Sequence, residues 1–374
     1  MKIIQIIFTL NQGGAERFVL DLSNELAQKH DVHLFIVRNE EEKNDFFKNE
    51  LDDKVKYRSL GFQYGFKPFD HLKIYKLIKE ENPDVVHCHM NTILLVLLPS
   101  IFLKEIKFFH TVHNDAKKEA KNLLFSGLRK FFYQKSLIHP ITISQESKDS
   151  FLRFYGFDNS TLIYNGRKFP EKTGNFLKVK SEIESLKEAP TDLVFLHVAR
   201  FNEQKNQFML IRVFNQLIRE NNGIILLIVG MGFDFEEAEE LVATAGKGIY
   251  FLGEKTNVAD YYHSADAFCL SSHFEGMPIS IIEAFACGCV PICTPVGGIT
   301  NVVKNGTTGF LSKDTSEASY YLSVKEFLKN PDSIDRNGLK VYFEKNFSIK
   351  KCAELYEKTF QKGMKKTTKL LESV

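Results

Sequence analysis

The segment FEGMPISIIEAFACGC, residues 274–289, holds Glu275 and Glu283 eight positions apart, with a Gly-x-Pro turn after the first and a short helical pattern around the second. Pro278 reads as the first helical residue, where a missing N–H costs nothing, so Gly276 and Met277 form the turn into the helix. A helix start of this kind offers unpaired N–H donors and the positive end of the dipole, and phosphate is the common biological anion to fill it. Gly276, Met277, Pro278 and Ile279 are therefore candidate ligand-binding positions. Glu275 precedes the helix and Glu283 follows about two turns along it, which places the carboxylates roughly 10 Å apart at 1.5 Å rise per residue. That is wide for a glycosidase pair, whose carboxyl groups flank one bond at about 5 to 9.5 Å. It suits two hydroxylated rings gripped on either side of a diphosphate. The plainer alternative is a poor cap at Glu275 and a solvated helix face at Glu283.

Two cations strengthen the anion reading. HVARFNEQKNQ places Arg200 just past a strand and Lys205 at the start of the next helix, where both can neutralise a diphosphate leaving group as its charge develops. In TLNQGGAER, Gly13 and Gly14 fall between the first strand and the first helix and permit close backbone approach to a phosphate or sugar. This is no dinucleotide fingerprint, because the third glycine and the acidic residue after the next strand are missing; Gly230 and Gly232 in VGMGFDF fail the same test. Histidines gather at His87, His89, His110 and His113. The H-x-H pair on an apolar strand reads as a satisfied core pair rather than a metal site, since no third ligand is visible. His113, beyond the strand IKFFHTV, is the one placed to hydrogen-bond a sugar hydroxyl. No metal site is expected.

The elements that must position these residues alternate short β-branched runs with amphipathic helices from end to end, which predicts an α/β chain with parallel sheets. Ala15, Phe18, Val19, Leu22 and Leu26 mark the first helix stripe. At 374 residues the chain exceeds what one core serves, so two doubly wound domains are expected. They span 1–168 and 191–349, joined by a charged, Pro- and Gly-containing linker at 169–190, with the helix 350–374 returning to the first domain. A cleft between two such sheets would collect ligands at the carboxyl ends of the strands.

Composition excludes other classes. A net charge of +2 with 44% hydrophobic residues is neither a disordered chain nor a nucleic-acid polyelectrolyte, so no nucleic-acid partner is expected. MKIIQIIFTLNQGG reads as a buried strand rather than a signal peptide, which points to the cytoplasm. The apolar run from Ile93 to Leu103 is too short to span a bilayer and is broken by Pro99. Cys287, Cys289 and Cys293 read as small apolar fillers. The segment 116–135, AKKEAKNLLFSGLRKFFYQK, mixes Lys and Arg with Leu and Phe at helical spacing. It is either an ordinary helix with a core face or a peripheral contact with an anionic membrane.

Taken together, SSHFEGMPISIIEAFACGCVPICTPVGGITNVVKNGTTGFL resembles the signature of retaining glycosyltransferases of family 4, which have the GT-B fold and a spaced E-x7-E pair. RFNEQKNQ is similar to that family's Arg-and-Lys donor motif, VGMG to its glycine turn, TVHN to its first-domain histidine segment, and LNQGGAERFVLDLSNELA to the amino-terminal loop of members that build bacterial surface polysaccharides. Where the family often continues Asn-Gly with an aliphatic residue and Asp, this chain has Asn165-Gly166-Arg167-Lys168. The resemblance implies two Rossmann-like domains facing each other across a cleft and a retaining, metal-independent hexosyl transfer without cofactor. The donor would be a nucleotide-sugar, a UDP-sugar by expectation, and the acceptor a glycan or lipid-linked saccharide, at or near the inner face of the plasma membrane. It implies that Glu283 binds the ribose and Glu275 the donor sugar, that Arg200 and Lys205 hold the diphosphate, that Gly13 and Gly14 lie beside phosphates and acceptor, and that His113 touches the donor sugar. Gly230 and the turn Gly276 to Ile279 complete the grip. A sugar-nucleotide epimerase of the same architecture, or a non-catalytic sugar-nucleotide-binding partner of another transferase, are the alternatives.

Overall fold

The computed structural model describes every residue except 12, 39–45, 63–67, 121–122, 221–222 and 372–374. The chain forms two compact units, Met1–Lys168 with Asn346–Val374, and Phe169–Lys345.

The first unit is a seven-stranded parallel sheet of β1 (Lys2–Ile7), β2 (Asp31–Ile36), β3 (Lys56–Ser59), β4 (Val85–His89), β5 (Lys107–Val112), β6 (His139–Thr142) and β7 (Thr161–Leu162), in the order β3-β2-β1-β4-β5-β6-β7. The central strands are buried on both faces and so read as apolar runs. The edge strands β3 and β7 are the two that no such run announces: KYRS alternates exposed and half-buried residues, and β7 is a two-residue pairing. Phe18, Val19, Leu22 and Leu26 of the helix Gly14–Leu26 are buried, as their spacing predicts. This helix packs with the long helix Ile349–Leu371, where the rings of Phe18 and Tyr356 lie 5.9 Å apart. The apolar run forms the helix Ile93–Phe102, with Ile93, Leu95, Val96 and Leu97 buried. Among the described residues no helix is long and apolar enough to cross a membrane.

The segment 116–135 differs from the single basic helix its pattern suggests. It forms two helices, Ala116–Glu119 and Leu123–Gln134, and residues 121–122 lie outside the described residues. Arg129 shares the buried stripe of Phe132 and Tyr133 at three- and four-residue spacing, and its guanidinium reaches Asn91 and Glu119 inside the unit. The outward face keeps Lys130 and Lys135 beside Leu128 and Phe131.

The second unit is a six-stranded parallel sheet of β8 (Leu193–Val198), β9 (Ile224–Val229), β10 (Ile249–Gly253), β11 (Ala267–Leu270), β12 (Val290–Cys293) and β13 (Phe310–Leu311), in the order β10-β9-β8-β11-β12-β13. Residues 169–190, expected as a linker, are part of this unit. Their helix Phe176–Leu186 buries Val179 and Ile183, and Thr173 donates to Asp260 through its backbone N–H at 2.7 Å and through its hydroxyl at 2.5 Å. All six cysteines are buried free thiols, Cys287, Cys289 and Cys293 among them, and burial pushes the Cys269 thiol up to about 12.

The places where the chain leaves and re-enters the first unit are stapled to each other. Arg167 pairs with Ser348 in a short parallel bridge, donating to Phe347 O at 2.8 Å and accepting from Ile349 N–H at 3.0 Å. Gly166 permits the approach, since a Cβ there would stand 2.5 Å from that of Cys352. Asp21 of the first helix locks the crossing by accepting from the Arg167 guanidinium at 2.5 Å and the Lys168 N–H at 3.1 Å. Both side chains are buried, so removing Asp21 takes a charge partner from a buried guanidinium. Asp21→Ala is expected to lower the stability of the first unit by roughly 3–5 kcal/mol, read as a fall in its calorimetric transition. The double variant Asp21→Leu/Arg167→Leu should recover part of that loss.

Candidate functional site

In the second unit the chain runs from β8 outward through β9 to β10, then returns to the other side of β8 to begin β11. The sheet order reverses there, and the loops after β8 and β11 become neighbours at the carboxyl ends of the strands. Arg200, Lys205 and Glu275 lie on these two loops.

The loop after β8 is shaped locally. Asn202 caps the short turn Glu203–Lys205 by accepting from Gln204 N–H at 2.8 Å, and Asn206 takes the left-handed conformation before the helix Gln207–Glu220. Buried Gln207 donates to Arg200 O at 3.0 Å and contacts His197 Nε2 at 3.3 Å. His197 Nδ1 donates to Cys269 O at 2.9 Å, which leaves Nε2 to accept from Gln207. Burial holds this imidazole neutral and pushes its pKa down to about 4. The loop after β9 closes over the same corner: a Cβ at Gly230 would stand 2.0 Å from Ala199 O, and Phe201 N–H donates to Met231 O at 2.8 Å.

Glu275 is the centre of the loop after β11. Its side chain is 6% exposed, and its Oε1 accepts from Lys205 Nζ at 2.6 Å and from Ser272 Oγ at 2.6 Å. Gln204 bridges the loops from the same side, donating to Phe274 O at 2.8 Å. Ser271 Oγ returns the bracing with a bond to Lys205 O at 2.9 Å. Gly297, with φ +53, follows β12 and lies so close beneath Glu275 that a Cβ would sit 1.8 Å from its carbonyl oxygen; the next residue, Gly298, donates to Gly276 O at 2.8 Å. Arg200 is exposed, and among the described residues its guanidinium has no hydrogen-bond or ion-pair partner.

The helix that follows is Ile279–Cys287, and Pro278 is its N-cap in extended conformation rather than its first helical residue. Pro278 supplies no side-chain cap to the N–H groups of the first turn. Met277 and Ile279 are buried, Gly276 is half-buried, and Glu283 is half-buried as the fifth helical residue, little more than one turn in rather than two.

The other expected site residues belong to the first unit. Gly13 is the extended N-cap of the helix Gly14–Leu26, a conformation any residue adopts, and a Cβ there would meet only the movable Glu16 carboxylate. His113 is buried, with Nε2 at 3.0 Å from His89 Nδ1 and its backbone N–H donating to Glu119 Oε2 at 3.0 Å. Burial, opposed by the Glu119 charge, pushes its pKa down to about 4. His87 contacts Thr111 Oγ1 at 2.7 Å and His110 contacts Tyr133 OH and Met90 O, whereas His87 Nδ1 is buried with no hydrogen-bond partner among the described residues. Among the described residues no group of His, Cys, Asp and Glu is arranged to hold a metal. Sequence reasoning misses Gln204, Gln207, Ser272 and Gly297. Only the doublet Gly297-Gly298 carries a signal, and nothing local ties it to Glu275.

Residues 12–168 match the family model for Glycosyltransferase Family 4, and residues 178–345 match that for Glycosyl transferases group 1. The chain is 25% identical to the capsular polysaccharide biosynthesis glycosyltransferase CapH of Staphylococcus aureus, over 95% of this chain and 98% of that one. It is 29% identical to the UDP-Gal:alpha-D-GlcNAc-diphosphoundecaprenol alpha-1,3-galactosyltransferase of Escherichia coli, over 64% and 65% of the two chains. Among solved structures it resembles HepE of Anabaena in complex with UDP and glucose, with a TM-score of 0.79 and 17% identity over 96% and 99%. The fold is the two-domain α/β architecture called GT-B.

The neutral His197 makes the second unit acid-sensitive. Its folded pKa of about 4 lies below the ordinary value of 6.5, so the unfolded chain takes up the proton first. Its contribution to stability is fully present above pH 6.5 and is lost as pH falls towards 4, by a total of about 3 kcal/mol. Melting curves between pH 7 and 4.5 should show this slope in the wild type and a shallower one in His197→Gln.

Proposed function

Because the chain belongs to the glycosyltransferases, with a family 4 domain followed by a group 1 domain, we propose that it moves a hexose from a UDP-sugar to a hydroxyl of a glycan or lipid-linked saccharide during surface polysaccharide assembly, with retention of configuration. The observation that carries this reading is the Lys205–Glu275 contact at the reversal of the second sheet, beside the exposed Arg200 and a helix start without a side-chain cap. The names of the relatives support the donor and acceptor classes: one is a UDP-Gal transferase acting on a diphosphoundecaprenol-linked sugar.

Arg200 and Lys205 take the diphosphate, and the first-turn N–H groups of Ile279–Cys287 add donors where charge develops as the glycosidic bond breaks. Positive charge from these groups removes the need for a metal ion. Glu275, fixed on Lys205 and Ser272, presents its remaining acceptor capacity to a donor-sugar hydroxyl, and Glu283 takes the ribose. Gly230 and the turn Gly276, Met277, Pro278 keep the backbone low beside the nucleotide. His113 contacts the donor sugar, and Gly13 with Gly14 lies beside phosphate and acceptor. As the bond from the anomeric carbon to the phosphate oxygen breaks, the departing phosphate accepts the proton of the acceptor hydroxyl, whose oxygen bonds to the anomeric carbon on the same face, so positioning and leaving-group stabilisation supply the rate. The exposed Leu128 and Phe131 with Lys130 and Lys135 give the first unit a small face for an anionic membrane carrying the acceptor.

A panel of UDP-, GDP- and ADP-sugars, with and without EDTA, tests the donor. One UDP-sugar should raise the melting temperature and turn over slowly in EDTA, Arg200→Ala should lower kcat/KM by about 10²–10³-fold, and Glu283→Ala should lose the melting shift. If no nucleotide sugar stabilises the protein, the reading fails. Flotation tests the membrane face: recovery with anionic vesicles should exceed recovery with neutral ones and fall in Leu128→Asp/Phe131→Asp. Equal recovery on both vesicles removes the contact.

A further inference from the structure

Arg200 presents an exposed guanidinium without a partner among the described residues, yet its backbone is held from two sides. On one side Gly230 packs against Ala199 O, and Phe201 N–H donates to Met231 O at 2.8 Å. On the other, Gln207 of the helix Gln207–Glu220 donates through Nε2 to Arg200 O at 3.0 Å. The same Nε2 lies 3.3 Å from Nε2 of His197 on β8, and His197 Nδ1 lies 2.9 Å from Cys269 O on the neighbouring strand β11. Gln207 is 1% exposed and His197 is fully buried. Hydrogen bonds therefore run from the backbone of β11, through His197 and Gln207, to the backbone of Arg200.

Carbonyl oxygens stand at both ends of this relay, and they fix every donor in it. A carbonyl only accepts, so His197 carries a proton on Nδ1. Burial keeps the ring neutral, and the Lys205 charge acts in the same direction, so Nε2 is a bare acceptor. Arg200 O likewise requires an N–H, which turns the Gln207 amide nitrogen towards it. That nitrogen has two protons, one for Arg200 O and one for His197 Nε2. Turning the amide over would set its oxygen against two acceptors, and its nitrogen against the Asn202 N–H that faces Gln207 Oε1 at 3.5 Å.

We infer that Gln207 and His197 are positioning residues for the donor diphosphate: by donating to Arg200 O, Gln207 fixes the backbone from which the Arg200 guanidinium reaches the ligand. This rests on the reading that Arg200 takes the diphosphate, and it extends that reading to two buried residues that act on the ligand only through Arg200. With the backbone already set, binding has only the side-chain rotors of Arg200 left to order. The requirement at position 207 is for a double donor, because both groups opposite it are acceptors.

The test uses the full chain, with UDP and uridine as probes followed by NMR titration. Gln207→Met nearly keeps side-chain volume but removes both donors, and UDP should bind roughly tenfold more weakly, the contribution of one hydrogen bond. Uridine, which has no phosphate, should bind the wild type and Gln207→Met alike. Arg200→Ala keeps the carbonyl that Gln207 holds and removes only the guanidinium, so in that background Gln207→Met should weaken UDP by less than about twofold. An unchanged UDP affinity in folded Gln207→Met overturns the inference. So does an equal loss for uridine, or a tenfold loss that persists in Arg200→Ala. Ring 15N spectra of the wild type, with His197 assigned by its loss in His197→Gln, should show a proton on Nδ1 and none on Nε2. A proton on Nε2 overturns the relay even where Gln207→Met fails to fold, whereas failure of the folded wild type to bind UDP overturns the reading beneath it.

Discussion

A carboxylate withdrawn from water has to be paired, and the second unit is organised around that requirement at Glu275. Its partner Lys205 is seventy residues away in sequence and meets it only because the chain reverses direction across β8. Once the two charges are in contact, the surrounding loops are obliged to follow. Ser272 must turn its hydroxyl inward, Gln204 must span the gap to Phe274, and residue 297 must lack a side chain because the Glu275 carbonyl occupies that space. A lysine tied to a carboxylate is less free to move than one in solvent, so the site is largely set before a ligand enters, which is the condition under which charge stabilisation works best.

The chain handles buried polar groups in two ways. Around Glu275 and around Asp21 the chain uses ion pairs, which tolerate burial when hydrogen bonds complete them. In the first sheet it uses neutral imidazoles. His87, His89 and His113 crowd one region, the rings of His87 and His89 being 4.1 Å apart, and protonating any of them would place a charge beside its neighbours in a dry core. Neutral rings are directional instead, each with one donor and one acceptor nitrogen. Glu119 sits one layer away, where its carboxylate contacts His110 and Arg129 and holds the backbone of His113.

Much of the architecture is present in local pattern. Parallel strands buried on both faces are continuous apolar runs, so eleven of the thirteen strands among the described residues stand out, and the two that do not are short edges with little apolar surface. The helix start after Gly276 is legible to within one residue because Pro and Gly constrain the backbone where they stand. Local pattern fails where a residue's face is decided by its neighbours in space. Arg129 belongs to a basic stretch by composition, yet the helix turns it inward with Phe132 because Glu119 and Asn91 are there to receive it.

By itself, then, the sequence determined the α/β class, the types and order of the chemical groups, and the family motifs that hold Arg200, Lys205, Glu275 and Glu283, since these depend on short-range spacing and residue chemistry. Only the tertiary structure decided which of those groups touch. The pairing of Lys205 with Glu275, the lock of Asp21 on Arg167, and the chain from Gln5 through His89 to His113 join residues that are 70, 146 and 84 positions apart or, in the last step, 24. Contacts of that range are set by strand order and sheet register, which no local pattern encodes.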